Sequence, residues 1–295
     1  ITDTFLFHLA TKDDRWPLLF PMVKSAVKAM DCIEKLAQQE WKKPVKGFVV
    51  SGASKRGWTT WLTGATDPRV KGIAPIVIDT LNMRKQMDYQ FETWGAYSEQ
   101  IVDYERKGLI KRLKDDDAEI DPLWHWVDPF TYRRQLKLPK LIINGTNDRY
   151  WTVDALNNYW SDLEGEKHVR YVPNAGHSLK GGREEAIASL SAFVQHVAME
   201  KPFPAIEWKH DQADGKLRLT IQSKVAPVAV NLWTAESMTK DFRESVWNSQ
   251  PLKKNNDAYT GEVPIPVGKH SALFGEVRFQ LGELQYGLTT QLRRE

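Results

Sequence analysis

Apolar positions along the first two hundred residues fall into two alternating rhythms. "WPLLFPMVKSAVKAMDCIEKLAQQE" carries them three and four apart, which predicts a helix after its prolines. "VKGFVVSG" is a short β-branched run closed by glycine, the pattern of a buried strand. "SKRGWTTWLTGAT" returns to helical spacing and stops near Gly64. "VKGIAPIVID", "LPKLIINGTND" and "KHVRYVPNAGH" predict three more buried strands. "TVDALNNYWSDLE" and "GREEAIASLSAFVQHVAME" predict the helices after the last two. Strands separated by helices imply an α/β fold, a parallel sheet with crossover connections.

One stretch breaks this rhythm. Residues 80–137 are partly helical and rich in aromatics, with Phe91, Trp94, Tyr97, Tyr104, Trp124 and Trp126. An insertion of this size beyond a strand's carboxyl end reads either as a lid over a site or as a structural excursion packed on the sheet's helices. After Pro202 the period becomes two: Leu217, Leu219 and Ile221, then Val228, Val230 and Leu232, then Val277, Phe279 and Leu281. Short alternating runs separated by turns, the first behind an Asp-Gly pair, predict an all-β sandwich. The expected limits are an α/β domain over 1–202 and a β-sandwich over 203–295. Trp208, Trp233 and Trp247 in the second part read as a carbohydrate platform or as sandwich core.

Composition narrows the classes. The chain has 295 residues, 41 basic and 38 acidic, and 41% of it is hydrophobic. That near balance, with no basic run interleaved with aromatics, argues against a nucleic-acid surface. No stretch is long and apolar enough to span a bilayer, so no stable membrane insertion is expected. "ITDTFLFHLATKDD" lacks the basic start and apolar run of a signal peptide. "KDDDAEID" at 114–121 lacks the glycine and spaced ligands of a calcium loop and reads as a solvated turn. The single cysteine, Cys32, excludes an internal disulfide, and its helical context predicts burial. No histidine pair has zinc-ligand spacing, so neither a metal nor a cofactor is expected. Oligomeric state is not written in the sequence.

The candidate chemistry sits where the strands end, the usual ligand position of an α/β sheet. Ser54 follows "FVVSGA" and opens a helix, with small Gly52, Ala53 and Gly57 around it. Alone, it reads as a nucleophile on a tight elbow or as a helix N-cap. The glycine stands one place later than in the common Gly-x-Ser-x-Gly pattern. Asp148 ends "LIINGTND" and His177 ends "VRYVPNAGH". The order serine, aspartate, histidine at successive strand ends suits acyl transfer. Histidine takes the serine proton, and the carboxylate fixes its tautomer. Asp79, which ends "GIAPIVID", is an alternative acid. The Lys55 amide, first in the helix, is the expected oxyanion donor. Arg56, Trp94, Trp124, His125 and Trp151 are the expected substrate contacts, with packing or solvation as the plainer reading of each.

Four blocks together resemble the PhoPQ-activated pathogenicity-related protein family. They are "WPLLFPMVKSAVKAMD", "SGASKRGWTTWLTGATDPRVKGIAPIVIDTLNM", "DPFTYRRQLKLPKLIINGTNDRYW" and "VRYVPNAGHSL". The serine segment is also similar to that of glucuronoyl esterases, a Gly-x-Ser with arginine after it. The resemblance implies an α/β-hydrolase-type parallel sheet with a helical aromatic insertion, followed by an immunoglobulin-like sandwich. It matches Ser54, Asp148 and His177 to a triad, and implies export to the periplasm or cell exterior. It also implies strands ahead of the serine, supplying a second oxyanion donor, whereas only a helix is expected before Ser54 here. The resulting expectation is a serine hydrolase of carboxylic esters, small or glycan-borne. A peptidase or amidase, and a secreted binding or signalling protein with a vestigial site, are the alternatives.

Overall fold

A computed structural model describes residues 1–115 and 122–295, so most of the 114–121 charge block lies outside the described residues. Two helices come first, α1 (Thr2–Thr11) and α2 (Leu19–Leu36). Helix α1 was not expected from the sequence. It buries Phe5 against Trp58 and Trp124, edge to face. The α/β core follows as β1 (Phe48–Ala53), α3 (Lys55–Thr66) and β2 (Val70–Ile76). The insertion then contributes α4 (Met83–Trp94), α5 (Val102–Arg106), α6 (Leu109–Lys114) and α7 (Leu123–Val127). Strands β3 (Lys140–Gly145) and β4 (Lys167–Val172) and helix α8 (Arg183–Ala198) complete the α/β part.

Strands β1 to β4 pair in parallel in that order, with β1 at the edge. All six residues of β3 are buried, as expected for a parallel strand covered on both faces. The insertion packs on the same side as α1 and α3. Leu109, Ile110, Leu113 and Leu123 share one buried cluster with Phe5, Trp58 and Trp61.

Two expectations need correction. Cys32 is exposed, because α2 lies on the surface and buries only Leu19 and Met30. Two residues beyond Met30 is about 200° around a helix, on the far side. "TVDALNNYWSDLE" is not an α-helix but two short 3₁₀ turns, Ala155–Asn158 and Trp160–Asp162. Its polar side chains are committed elsewhere. Asp154 binds Arg294 at 3.0 Å, Asn157 donates to the Leu292 carbonyl, and Asn158 donates to Gln86. Side chains that bond to distant partners hold the backbone off helical dihedrals, as at Tyr159 with φ −144°.

The C-terminal part is antiparallel: β5 (Ile206–Ala213), β6 (Lys216–Ser223), β7 (Ala229–Ser237), β8 (Asn248–Pro251), β9 (Lys254–Asn255), β10 (Ala258–Pro264), β11 (His270–Leu281), β12 (Leu284–Thr289) and β13 (Arg293–Arg294). Strands β5, β6, β10 and β9 make one sheet. Strands β12, β11, β7 and β8 extend the parallel sheet beyond β4, through Thr289 opposite Val169. The antiparallel part therefore shares a sheet with the α/β part, which periodicity alone does not reveal. Gly275 lets the two layers close. A side chain there would place its Cβ 2.2 Å from Ile221 Cδ1. Across the junction, Arg170 of β4 donates to Glu276 of β11 at 2.6 Å, both side chains buried. Asn231 and Trp233 donate to the other Glu276 oxygen, so the buried carboxylate has partners on both sides. The tryptophans of this part are packed. Trp247 is buried, Trp208 contacts Trp160, and Trp233 stacks on Phe274.

Candidate active site

Ser54 joins β1 to α3 with φ 56° and ψ −124°, a conformation that side chains rarely adopt. Its amide donates to the Ile76 carbonyl of β2, so the turn is tied to the sheet. Two glycines make room for it. A Cβ at Gly52 would lie 2.7 Å from Arg56 Cβ. A Cβ at Gly57 would lie 2.5 Å from Ile78 Cγ2 and 2.9 Å from the Gly52 carbonyl. Gly57 thus seats α3 directly on the strand ends, and its place three residues after the serine is set by that helix–sheet contact. Among the described residues, the Ser54 side chain makes no helix-cap hydrogen bond. Its Oγ instead lies 2.9 Å from His177 Nε2.

His177 follows β4, and its Nδ1 lies 2.8 Å from Asp148 Oδ2. Asp148 follows β3 and is buried, and its Oδ1 accepts the Tyr150 amide at 2.9 Å. A carboxylate held at one oxygen by backbone presents the other to imidazole in a fixed direction. The Tyr150 ring covers the imidazole, with centroids 4.2 Å apart and planes 33° apart. The ends of β1, β3 and β4, with β2 lying between the first two, thus bring Ser54, Asp148 and His177 into one hydrogen-bonded row.

Asp79, the alternative acid, is engaged elsewhere. It accepts from Tyr159 Oη at 2.5 Å and from Asn144 Nδ2 at 2.7 Å, fully inside the protein. Burial pushes its carboxyl up to about 7. The two hydrogen bonds pull the other way, and the charges of Asp148 and Asp154 add to the rise.

A cleft of about 280 Å³ opens beside Ser54 and His177. Of the expected contacts, Lys55, Trp124 and Trp151 line it. Arg56, Trp94 and His125 do not. Arg56 is exposed and faces a separate groove against α2. Trp94 lies beneath Arg243, 4.0 Å from the guanidinium carbon to the ring centroid. His125 is exposed on α7. Sequence reading missed Tyr150, Met83, Met87, Tyr104 and Leu109, which also line the cleft. The position of Tyr150 two residues after the acid was the one available signal. The others lie on helices whose faces the sequence does not assign. Among the described residues, no cluster could hold a metal ion and no helix is long and apolar enough to cross a membrane.

The parallel sheet with its crossover helices is a fold of the α/β-hydrolase type. The chain belongs to the PhoPQ-activated pathogenicity-related protein family, whose model matches residues 1–243. It is 37% identical over 247 residues to "Autocrine proliferation repressor protein A" of Dictyostelium discoideum, covering 79% of this chain and 49% of that protein. The chain thus spans about half the length of this curated relative. Similar solved structures include acetyl xylan esterase 1 from Thermoanaerobacterium sp., 18% identical with TM-score 0.37, over 52% of this chain and 49% of that one. An acylaminoacyl peptidase of Pyrococcus horikoshii is 15% identical with TM-score 0.42, over 56% and 26%.

Proposed function

We propose that the chain is a serine hydrolase that cleaves carboxylic esters through an acyl-enzyme. The observation that carries this reading is the row Ser54 Oγ, His177 Nε2 and Nδ1, Asp148 Oδ2, with separations of 2.9 and 2.8 Å. In this mechanism His177 removes the Ser54 proton as Oγ attacks the ester carbonyl, and Asp148 stabilises the resulting imidazolium. The amide of Lys55 opens α3, a twelve-residue helix whose N-terminal dipole favours negative charge. It is the proposed first donor to the oxyanion. His177 then protonates the departing alcohol, and water repeats the sequence in reverse to release the acid. An alcohol leaves more readily than an amine, so esters are the proposed substrates ahead of peptides or amides.

Ser54→Ala tests the proposal. Turnover of p-nitrophenyl esters should fall by about a million-fold, the scale set by removing a triad serine, with the circular dichroism spectrum retained. Retained turnover overturns it. The name of the Dictyostelium relative, a proliferation repressor, favours a second reading, a secreted signalling protein with a vestigial site. Labelling by a fluorophosphonate probe separates the two. Modification at Ser54 supports the enzyme, and folded protein that resists the probe supports the signalling role. Export is part of both readings and rests on the family.

A further inference from the structure

We infer that the substrate carries an uncharged, apolar arm of several carbons or one ring, seated between the insertion helices; this rests on the ester-hydrolase reading. The cleft beside Ser54 has a polar rim and an apolar floor. Lys55, Gln100 and Asp103 stand exposed at the rim. Met87 of α4 and Leu109, Ile110 and Leu113 of α6 form buried walls. Lys55 is the one lysine or arginine among the described residues that line the cleft, and it is exposed. A uronate or phosphate placed on this floor would lose its hydration without gaining a cation. An aliphatic chain or a ring loses nothing there and removes its own apolar surface from water. The volume of about 280 Å³ lies near the lower end of the usual range for small-molecule sites, which admits such an arm. Two methionines, Met83 and Met87, line the cleft with unbranched, adaptable side chains, which suits a range of chain lengths.

Two ester series test the inference. In one, p-nitrophenyl esters run from acetate through butyrate and hexanoate to octanoate. In the other, acetates of alcohols lengthen by the same steps. In one series kcat/KM should rise about fourfold per added methylene over at least two carbons, the gain expected for burying each group. The series that rises tells whether the arm is acyl or alcohol. Acetate best in the first series together with no rise in the second overturns the inference while leaving the hydrolase reading intact. If no ester turns over and the fluorophosphonate leaves Ser54 unmodified, the hydrolase reading itself falls. Met83→Lys places an ammonium in the wall and should lower the ratio of long-chain to acetyl turnover at least tenfold. An unchanged ratio in folded, probe-reactive protein also counts against the arm.

A separate observation supports a second inference. We propose that the β7–β8 loop, residues 238–247 of the antiparallel part, positions both His177 and Asp148. Asn147, next to the acid, donates its Nδ2 to the carbonyls of Arg243 at 3.1 Å and Ser245 at 2.7 Å. Asn174, three residues before the histidine, bonds Trp247 twice. Its Nδ2 donates to the carbonyl at 2.9 Å, and its Oδ1 accepts the amide at 2.7 Å. The two site loops are also bonded to each other. The Asn147 amide donates to the Ala175 carbonyl, and the Asn174 amide donates to Thr146 Oγ at 2.9 Å. The loop therefore closes a frame around the imidazole–carboxylate pair. In the same loop, Arg243 covers Trp94 and pairs with Glu99 at 2.9 Å, which extends the frame to the insertion.

Asn174→Ala removes both bonds to Trp247. For a positioning residue, kcat should fall by about a hundredfold at nearly constant KM, the scale of a misplaced catalytic group. Fluorophosphonate labelling of Ser54 should slow in proportion, and Asn174→Asp, which keeps the acceptor, should recover part of the loss. A purely structural role predicts a lower melting temperature with unchanged kcat per active site, counted by titration with the probe. That result overturns the proposal.

Discussion

Asp79→Asn is the substitution whose outcome follows most directly from the structure. The Asp79 carboxyl is fully buried and raised from 3.8 to about 7, chiefly by loss of hydration. A carboxyl with a raised pKa keeps a proton in the folded protein that the unfolded chain has already released. Its contribution to stability is therefore complete below about pH 4 and is lost as pH rises through about 7. The full shift corresponds to about 4 kcal/mol at about 1.4 kcal/mol per pH unit. Between about pH 5.5 and pH 8.5, where most surface carboxylates are already ionised in both states, this one group accounts for about 2 kcal/mol of lost stability. Asparagine keeps the shape and the acceptor for Tyr159 but never ionises. Its amide can donate to Asn144 Oδ1, which has no partner in the native arrangement, once the Asn144 amide turns over. Urea unfolding followed by tryptophan fluorescence at the two pH values measures the difference. The native protein should lose about 2 kcal/mol more than the variant between them. Equal losses in both proteins would show that Asp79 is ionised throughout and would refute the assignment.

Asp148→Asn should lower esterase kcat by about 10⁴, because an amide at this place no longer fixes the His177 tautomer; the measurement is steady-state turnover in protein with unchanged melting. Gly57→Ala should destabilise the fold by about 1–3 kcal/mol, the range for overpacking, since its methyl would meet Ile78 and the Gly52 carbonyl. Differential scanning calorimetry checks it, and an unchanged melting temperature would mean that α3 shifts freely on the sheet. Arg170→Met should cost about 3 kcal/mol, the low end for breaking a buried pair, because Glu276 loses its buried cation and keeps only the more exposed Arg278 at 3.7 Å, whereas Arg170→Met combined with Glu276→Leu should recover most of that. Denaturant midpoints of the single and double variants measure the coupling.

Strand positions were legible because each apolar run is short, β-branched and closed by a small or polar residue, although β1, expected to be buried, is an edge strand with no buried residue. "GFVVSG" and "KLIING" could hardly be anything else. Ser54, Asp148 and His177 were legible as a set because a parallel sheet brings successive strand ends to one edge. Asp79 shared that position, and only the structure shows its oxygens taken up by Tyr159 and Asn144. Pairing between distant strands was not legible. Nothing local to Thr289 announces that it lies opposite Val169, so the joined sheet was read as a free-standing sandwich. The cleft wall was hidden for a related reason. Met83, Met87 and Leu109 have helical spacing, but spacing does not say whether a helix face meets core or cavity. Trp94 and His125 show the converse, since aromatic character drew them into the expected site and the fold turned them elsewhere.

The backbone at Ser54 has one more consequence. A residue with a side chain held at φ 56° and ψ −124° stores about 1–3 kcal/mol that glycine would release. Under the proposed mechanism, thermal robustness and reactivity therefore pull in opposite directions at this one position. A population of variants sorted only for heat resistance would drift toward glycine here and shed the proposed nucleophile. One sorted for turnover would retain serine and recover the deficit through substitutions far away.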